Sequence, residues 1–283
     1  MKVINHQNQA IEYLQSSVKV IAGIDNFDIE RIIKIIKASE IAGATYVDLA
    51  ANVEIVSAIK SLTTLPICAS SIDPLELYNC SLVGADVVEI GNFDVLYKKG
   101  ITFSASQIFH LALEAKTIID KKIQICVTIP HILSLNDQIK LSILLEKAGI
   151  DIIQTEGLIS KIAAKFCNND YICSNQKKFQ DNVFRSINQA TYSLSASYAI
   201  AQATHLPVVT SSGIMSISAP IAFHYGASGI GFRSAIADLQ NMRQIIQYIY
   251  QIMNSISYAE YNSIDYLSTR IYLNNISFFY IKQ

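Results

Sequence analysis

Short apolar runs recur along the chain, each ending in small or acidic residues and each followed by an amphipathic stretch. VKVIAGID (18–25) is the first run. In the next stretch, DIERIIKIIKASEIAG (28–43), Ile29, Ile32, Ile33 and Ile36 share one face. Asp28 can cap it and Glu30 faces Lys34 one turn on, so the spacing predicts a helix. The apolar runs continue as predicted strands at 45–50, 65–71, 85–91, 122–129, 150–157, 206–212 and 229–233. Helices are predicted between them, with Pro74 in a first turn and a long segment over 104–120. The 134–149 helix has Ser134 and Asp137 as an approximate capping box, an apolar row Leu135, Ile139 and Ile143, and Gly149 as its stop. Residues 158–189 break the alternation and read as an insertion after the sixth strand. It resumes with a helix over 190–204 and closes with one over 238–257, whose face carries Leu239, Met242, Ile245, Ile246, Ile249 and Met253. Residues 258–283 are left as a short C-terminal extension.

Eight strand–helix units in sequence, with strands apolar on both faces, predict an α/β fold: a (β/α)8 TIM barrel forming a single domain over 1–257. A doubly wound open sheet is the rival, but no GxGxxG turn follows any strand. An internal echo favours the barrel. Even strands open alike, GATYVDLA at 43, GADVVEIG at 84, GIDIIQTEG at 149 and GASGIGFRS at 226, and two odd strands open with Leu-Pro, at 65 and 206. Such repeats suit a closed barrel built from duplicated pieces.

Composition narrows the function classes. Apolar residues are 51% and charged residues only 16%, so much of the chain is interior. A formal net charge of −1, with no basic stripe, gives no electrostatic case for nucleic acid or an anionic membrane surface. The uncharged stretch between Arg185 and Arg233 is too rich in Ser, Thr, Gln and Gly turns for a spanning helix. The five cysteines have no zinc-ligand spacing and read as buried thiols of a reducing compartment. The N-terminal stretch has neither a secretory h-region nor the Arg content of a transit peptide.

Strand side chains alternate, and a carboxylate facing the surrounding helices would lie buried without a partner, so acids fix the parity. Asp25, Asp48, Glu89 and Glu156 are expected to face the lumen, with Gln154, and with Gln124, Cys126 and Thr128 on strand five. Asp25, Glu156 and Arg233 fall at C-terminal strand ends, where barrels of this class carry their active sites. Lys19 lies near the opposite end of strand one and reads as a structural ion pair, not a Schiff-base lysine.

The candidate chemistry is an anion site. Ser211, Ser212 and Gly213 follow strand seven, and Arg233 and Ser234 follow strand eight. Small residues let the backbone approach a phosphate, and Arg233 can add a forked clamp. The alternative is a plain tight turn, with Arg233 paired to Glu156. Asp25 and Glu156 are the candidate catalytic carboxylates. Asp48 and Glu89, with Thr128 and His131, are further mouth candidates, for acid–base work or a divalent cation, or else neutralised by Lys19 or Arg233. Asn52 and Asn92 read as helix caps. No metal and no cofactor is assigned.

The segments IAGIDNFD, YVDLAANVEIV, PICASSIDP, GADVVEIGNFD, CVTIPHILSL, DIIQTEG, TSSGIMSISAPIAF and GASGIGFRSAI together resemble the hypothetical chloroplast open reading frame twenty-three family of red-algal plastids and cyanobacteria, over about 16–257. The resemblance implies an aldolase-type barrel of the plastid stroma and no particular reaction. Residues 206–236 also resemble phosphate-binding barrels such as thiamine-phosphate and histidine-pathway enzymes, with Arg233-Ser234-Ala235 where those have Gly-Ser-Ala. The expected function is binding of a small phosphorylated molecule at the barrel mouth, by a lyase, isomerase or synthase. The alternatives are a non-catalytic ligand-binding or regulatory protein and a structural partner in a plastid assembly.

Overall fold

Eight parallel strands hydrogen-bond in chain order and close on themselves, β8 against β1: β1 (Ser17–Gly23), β2 (Tyr46–Ala50), β3 (Ile67–Ser71), β4 (Val87–Ile90), β5 (Gln124–Ile129), β6 (Ile152–Thr155), β7 (Val208–Ser211) and β8 (Gly229–Phe232). This computed structural model describes residues 16–91, 93–97, 99–157 and 177–257. Around the barrel run α1 (Ile29–Ala42), α2 (Val53–Lys60), α3 (Pro74–Leu82), α4 (Asp94–Tyr97), α5 (Ala105–Ile118), α6 (Leu135–Lys147), α7 (Lys177–Ala203), α8 (Ala219–His224), α9 (Ser234–Ala237) and α10 over 242–257. The (β/α)8 reading of the alternation is correct.

Outward strand residues pack under the helices. Val18, Val20, Val47 and Ile230 meet α1, α2, α8 and α10, while Val88, Ile90, Val127 and Ile153 meet α5 and α6. The opposite parity fills the lumen floor with Tyr46, Cys68, Val87, Cys126, Ile152 and Val209. Cys68, Cys80 and Cys126 are buried free thiols.

Some expected faces differ. In α6 the buried residues are Gln138, Leu141, Ser142 and Leu145, and Leu135 is exposed. The buried row includes the polar Gln138 and Ser142, whose side chains bond helix-end and helix carbonyls, so a count of apolar positions passes over it. In α1, Ile35 replaces Ile29 on the buried face. Helix α7 begins at Lys177, well before the expected residue 190. The remainder of the predicted insertion, Cys167, Cys173, Asn92 and the extension 258–283 lie outside the described residues.

The sequence echo has a physical cause. Gly43, Gly84, Gly149 and Gly226 all have positive φ, from 78° to 112°. Each ends a helix in the left-handed cap that glycine adopts without a Cβ penalty. After each, the next amide reaches back five residues: Ala44 to Ser39, Ala85 to Cys80, Ile150 to Leu145 and Ala227 to Ala222. The following side chains then clamp the preceding strand: Thr45 Oγ1 accepts from Val18 N, Asp86 Oδ2 from Ile67 N and Asp151 Oδ2 from Ile125 N. Glu40 in α1 accepts from the Thr64 amide, and Glu146 in α6 from that of His205, each just ahead of a Leu-Pro strand. The two halves of the barrel are built alike at the N-terminal rim.

These glycines differ in what a side chain would meet. A Cβ at Gly43 would touch nothing within 4 Å, whereas one at Gly213 (φ +73°) would strike the carbonyl of Gln189 in α7. Gly43→Ala is expected to lose about 1–2 kcal/mol from its left-handed backbone alone. Gly213→Ala is expected to lose roughly 1–3 kcal/mol more from the collision. Urea unfolding of the two variants measures the difference, and equal losses would refute the close approach.

Candidate functional site

Lys19 projects into the lumen from β1 and is 1% exposed. Its ammonium forms an ion pair with Glu89, a second with Asp48 at 3.7 Å, and donates to Gln154 Oε1 at 3.1 Å. Glu89 also accepts from Thr128 Oγ1 (2.8 Å) and Gln154 Nε2 (2.7 Å), and Asp48 from Ser70 Oγ. Asp48, Cys68 and Glu89 bring potential ligand atoms within 4.8 Å of one another, but the Lys19 ammonium already supplies the positive charge there. Asp48 and Glu89 face the lumen as the parity argument expects, and Lys19 neutralises them, one of the two readings the sequence allowed. With Thr128 they lie at 0–1% exposure, because a buried cation needs its counter-charges at the same depth.

The cluster shifts its titrating groups together. Burial alone would lower Lys19, but Asp48, Cys68, Glu89 and Tyr46 outweigh it and hold the ammonium well above 10.5. Burial pushes the Cys68 and Cys126 thiols well above 9.0, and Tyr46 well above 10.0, with Lys19 opposing in each case.

Above this layer, an arc of the C-terminal rim from β5 to β1 gathers the polar side chains. After β8, the Arg233 guanidinium pairs with Asp25, not with Glu156, and the two side chains remain 30% and 43% exposed. The guanidinium lies flat against Gly23, where a Cβ would come within 2.7 Å of Nε. The β1–β2 register shifts between Ile21 and Gly23, and Gly23 has φ +108°. One strand over, Ser211 opposes Gly231, and Ser212 takes a left-handed φ of 73° ahead of Gly213. Ser193 of α7 donates to the Ser212 carbonyl at 2.8 Å. The turns carrying Ser212 and Arg233 thus sit on adjoining strand ends.

Glu156, 4% exposed, follows β6. Its Oε2 accepts from Tyr97 OH (2.8 Å) and the His131 amide (3.2 Å), and lies 3.0 Å from His131 Nδ1. The Tyr97 ring meets the His131 ring edge-on, with centroids 5.0 Å apart. The next residue, Gly157, abuts Ser212: a Cβ there would lie 3.3 Å from Ser212 Cβ. Asn52 caps α2 as expected, accepting from Ile55 N.

Ser211, Ser212, Gly213, Arg233, Ser234, Asp25, Glu156 and His131 all belong to this arc. Sequence reasoning missed three supports. Arg31 of α1 clamps the carbonyls of Ile236, Ala237 and Leu239, fixing α9 after Arg233. Its signal was a cation in a first helical turn, where the helix dipole disfavours one. Ser193 and Ser197 of α7 bond the β7 side, with Ser197 Oγ 2.9 Å from Thr155 and 2.6 Å from Thr210. Their signal was a serine pair at i, i+4. Tyr97 gave no local signal.

A sequence family described as "Protein of unknown function (DUF561)" matches residues 4–262. The chain is 44% identical over 273 residues to the uncharacterized protein ycf23 of Antithamnion sp., covering 95% of this chain and 96% of that one. It is 38% identical to ycf23 of Pyropia yezoensis over 86% and 84% of the two chains. Among solved structures it is similar to thiamine phosphate pyrophosphorylase from Pyrococcus furiosus, at 15% identity and TM-score 0.54 over 88% and 98%. It is also similar to (S)-3-O-geranylgeranylglyceryl phosphate synthase from Thermoplasma acidophilum in complex with sn-glycerol-1-phosphate, at 12% identity and TM-score 0.57 over 90% and 99%. At such identities the likeness is one of fold.

Two outcomes test the lumen cluster. Lys19→Met leaves two buried carboxylates uncompensated and is expected to cost about 3–5 kcal/mol in chemical denaturation; adding Asp48→Asn and Glu89→Gln should restore part of it. For Lys19, Tyr46, Cys68 and Cys126 the folded chain keeps its proton to higher pH than the unfolded chain. Their contribution is complete below the ordinary values and is lost as pH rises above them. The melting temperature should hold from about pH 7 to 8.5 and then decline above about 9, the ordinary thiol range. A flat alkaline profile would contradict the cluster.

Proposed function

The chain belongs to the DUF561 family with the ycf23 proteins, and we propose that it binds a small phosphorylated metabolite at the C-terminal mouth of its barrel and acts on it as a lyase, isomerase or synthase. The observation that carries the reading is the part-exposed Arg233 guanidinium at the end of β8, next to the Ser212–Gly213 turn. A guanidinium offers forked donors that match phosphate oxygens. Barrels of this architecture frequently place a phosphate after strands seven and eight. Arg233 then exchanges Asp25 for the anion, while Ser211, Ser212 and Ser234 supply hydroxyls and the Gly213 and Ser234 amides are the backbone donors of the two turns.

Asp25 acts as the internal stand-in for the ligand's charge. Once displaced, it joins Glu156 as a carboxylate of the mouth available for chemistry. The names of similar folds support the substrate class: one is a thiamine phosphate enzyme, another holds sn-glycerol-1-phosphate. The relatives are ycf proteins of algal plastids, which supports a plastid location, and we assign the stroma. No helix among the described residues is long and apolar enough to cross a membrane.

Thermal unfolding with inorganic phosphate and a panel of small phosphorylated metabolites tests the reading. A ligand present at a hundred times its dissociation constant stabilises the fold by about 2.7 kcal/mol. Arg233→Ala is expected to weaken binding roughly tenfold or more, as loss of a charge-assisted contact does. Asp25→Asn, which frees the guanidinium, is expected to tighten it. Stabilisation that survives Arg233→Ala unchanged, or its absence with every compound in wild type, overturns the proposal.

A further inference from the structure

The geometry points to His131 as the proton-transferring base of this mouth, held by Glu156 and Tyr97, with a phosphorylated aldehyde or ketone as its substrate class. The inference rests on the phosphate reading for the substrate's anchor and on separate observations for its base.

The first observation is which oxygen does the holding. All three donors to Glu156 converge on Oε2: the Tyr97 hydroxyl, the His131 amide and the His131 ring at Nδ1. A carboxylate so engaged is an acceptor, so Nδ1 is the nitrogen that donates to it and Nε2 is the one directed away from it. The second observation is orientation. The amide and the ring of one residue are tied to one oxygen, and Tyr97 meets that ring at 86°. Ring rotation is blocked from both sides. The third is access. Among the described residues, neither His131 Nε2 nor Glu156 Oε1 has a hydrogen-bond partner, which leaves both atoms for a ligand. His131 is 11% exposed by side chain, which leaves the imidazole partly dry.

A carboxylate-oriented imidazole with one free nitrogen at the end of β5 is suited to take a proton from a weak acid bound beside it. Gly157 and Ser212 are in contact, so this pair adjoins the turn assigned to the phosphate. In a phosphorylated aldehyde or ketone, the weak acid a few bonds from the phosphate is the C–H next to the carbonyl. Its proton passes to Nε2, and the C–H electron pair moves into the new C=C bond as the carbonyl oxygen takes the negative charge. Return of the proton, to the same carbon or, after proton shuffling between oxygens, to its neighbour, closes an isomerisation with no oxidant or reductant consumed. Glu156 is here a positioning residue, which revises its role as proton carrier, and Tyr97 is another.

The test is deuterium incorporation from D2O into dihydroxyacetone phosphate and glyceraldehyde 3-phosphate, read by proton NMR on the full chain. Wild type is expected to exchange the carbonyl-adjacent hydrogen, and His131→Gln to do so about a hundredfold more slowly or less. Glu156→Gln and Tyr97→Phe are expected to slow exchange about tenfold with the inorganic-phosphate melting shift unchanged, a pattern that simple loss of structure does not give. Exchange by His131→Gln at the wild-type rate overturns the assignment, as does absence of wild-type exchange on both probes while inorganic phosphate still stabilises the fold. Unphosphorylated dihydroxyacetone at high concentration separates the two ideas. Exchange on it that requires His131, with no phosphate shift, would sink the phosphate cradle and keep the base.

Discussion

The ammonium of Lys19 inside the barrel is the constraint around which the interior is arranged. A closed parallel barrel must fill its own lumen, and apolar side chains usually do so in layers. Here one layer is ionic. A single cation at that depth demands counter-charge, and Asp48 and Glu89 provide it from β2 and β4. The surplus acceptor capacity then recruits Ser70, Thr128 and Gln154 from three more strands. Five strands besides β1 are cross-linked through one nitrogen and its partners. Such a cluster stabilises only when complete, since each unpaired member carries its full desolvation cost.

That layer divides the molecule into two working ends. Below it, the N-terminal rim is made of repeated devices that hold backbone: left-handed glycines, five-residue return bonds and single side chains accepting one strand amide. Above it, the C-terminal rim is made of pairs between side chains, such as Arg233 with Asp25 and Glu156 with His131. The opposition is physical. Bonds to strand amides fix the register whatever stands at the mouth, and side-chain pairs fix a site only once the register is set.

The same opposition decides what could be read from the sequence. The alternation of strands and helices, the caps at Asp28, Asn52 and Ser134, and the inward parity of the acids were legible, because each depends on residues a few positions apart. The packed face of α6 was not, since its buried row includes the polar Gln138 and Ser142. Partner identity was not either. The sequence allowed Arg233 to meet Glu156, and the pairing of β8 with β1 sets it beside Asp25 instead. Tyr97, more than fifty residues from Glu156, reaches it only once β4, β5 and β6 stand side by side.

The repeated clamps at the lower rim carry an evolutionary corollary. Glu40 with Thr64 and Glu146 with His205 perform one task at two places in the circle. A foundation assembled from interchangeable units leaves the upper loops free to drift. New chemistry can be grafted there without renegotiating how the barrel shuts, so a lineage can keep its architecture long after its substrates have diverged.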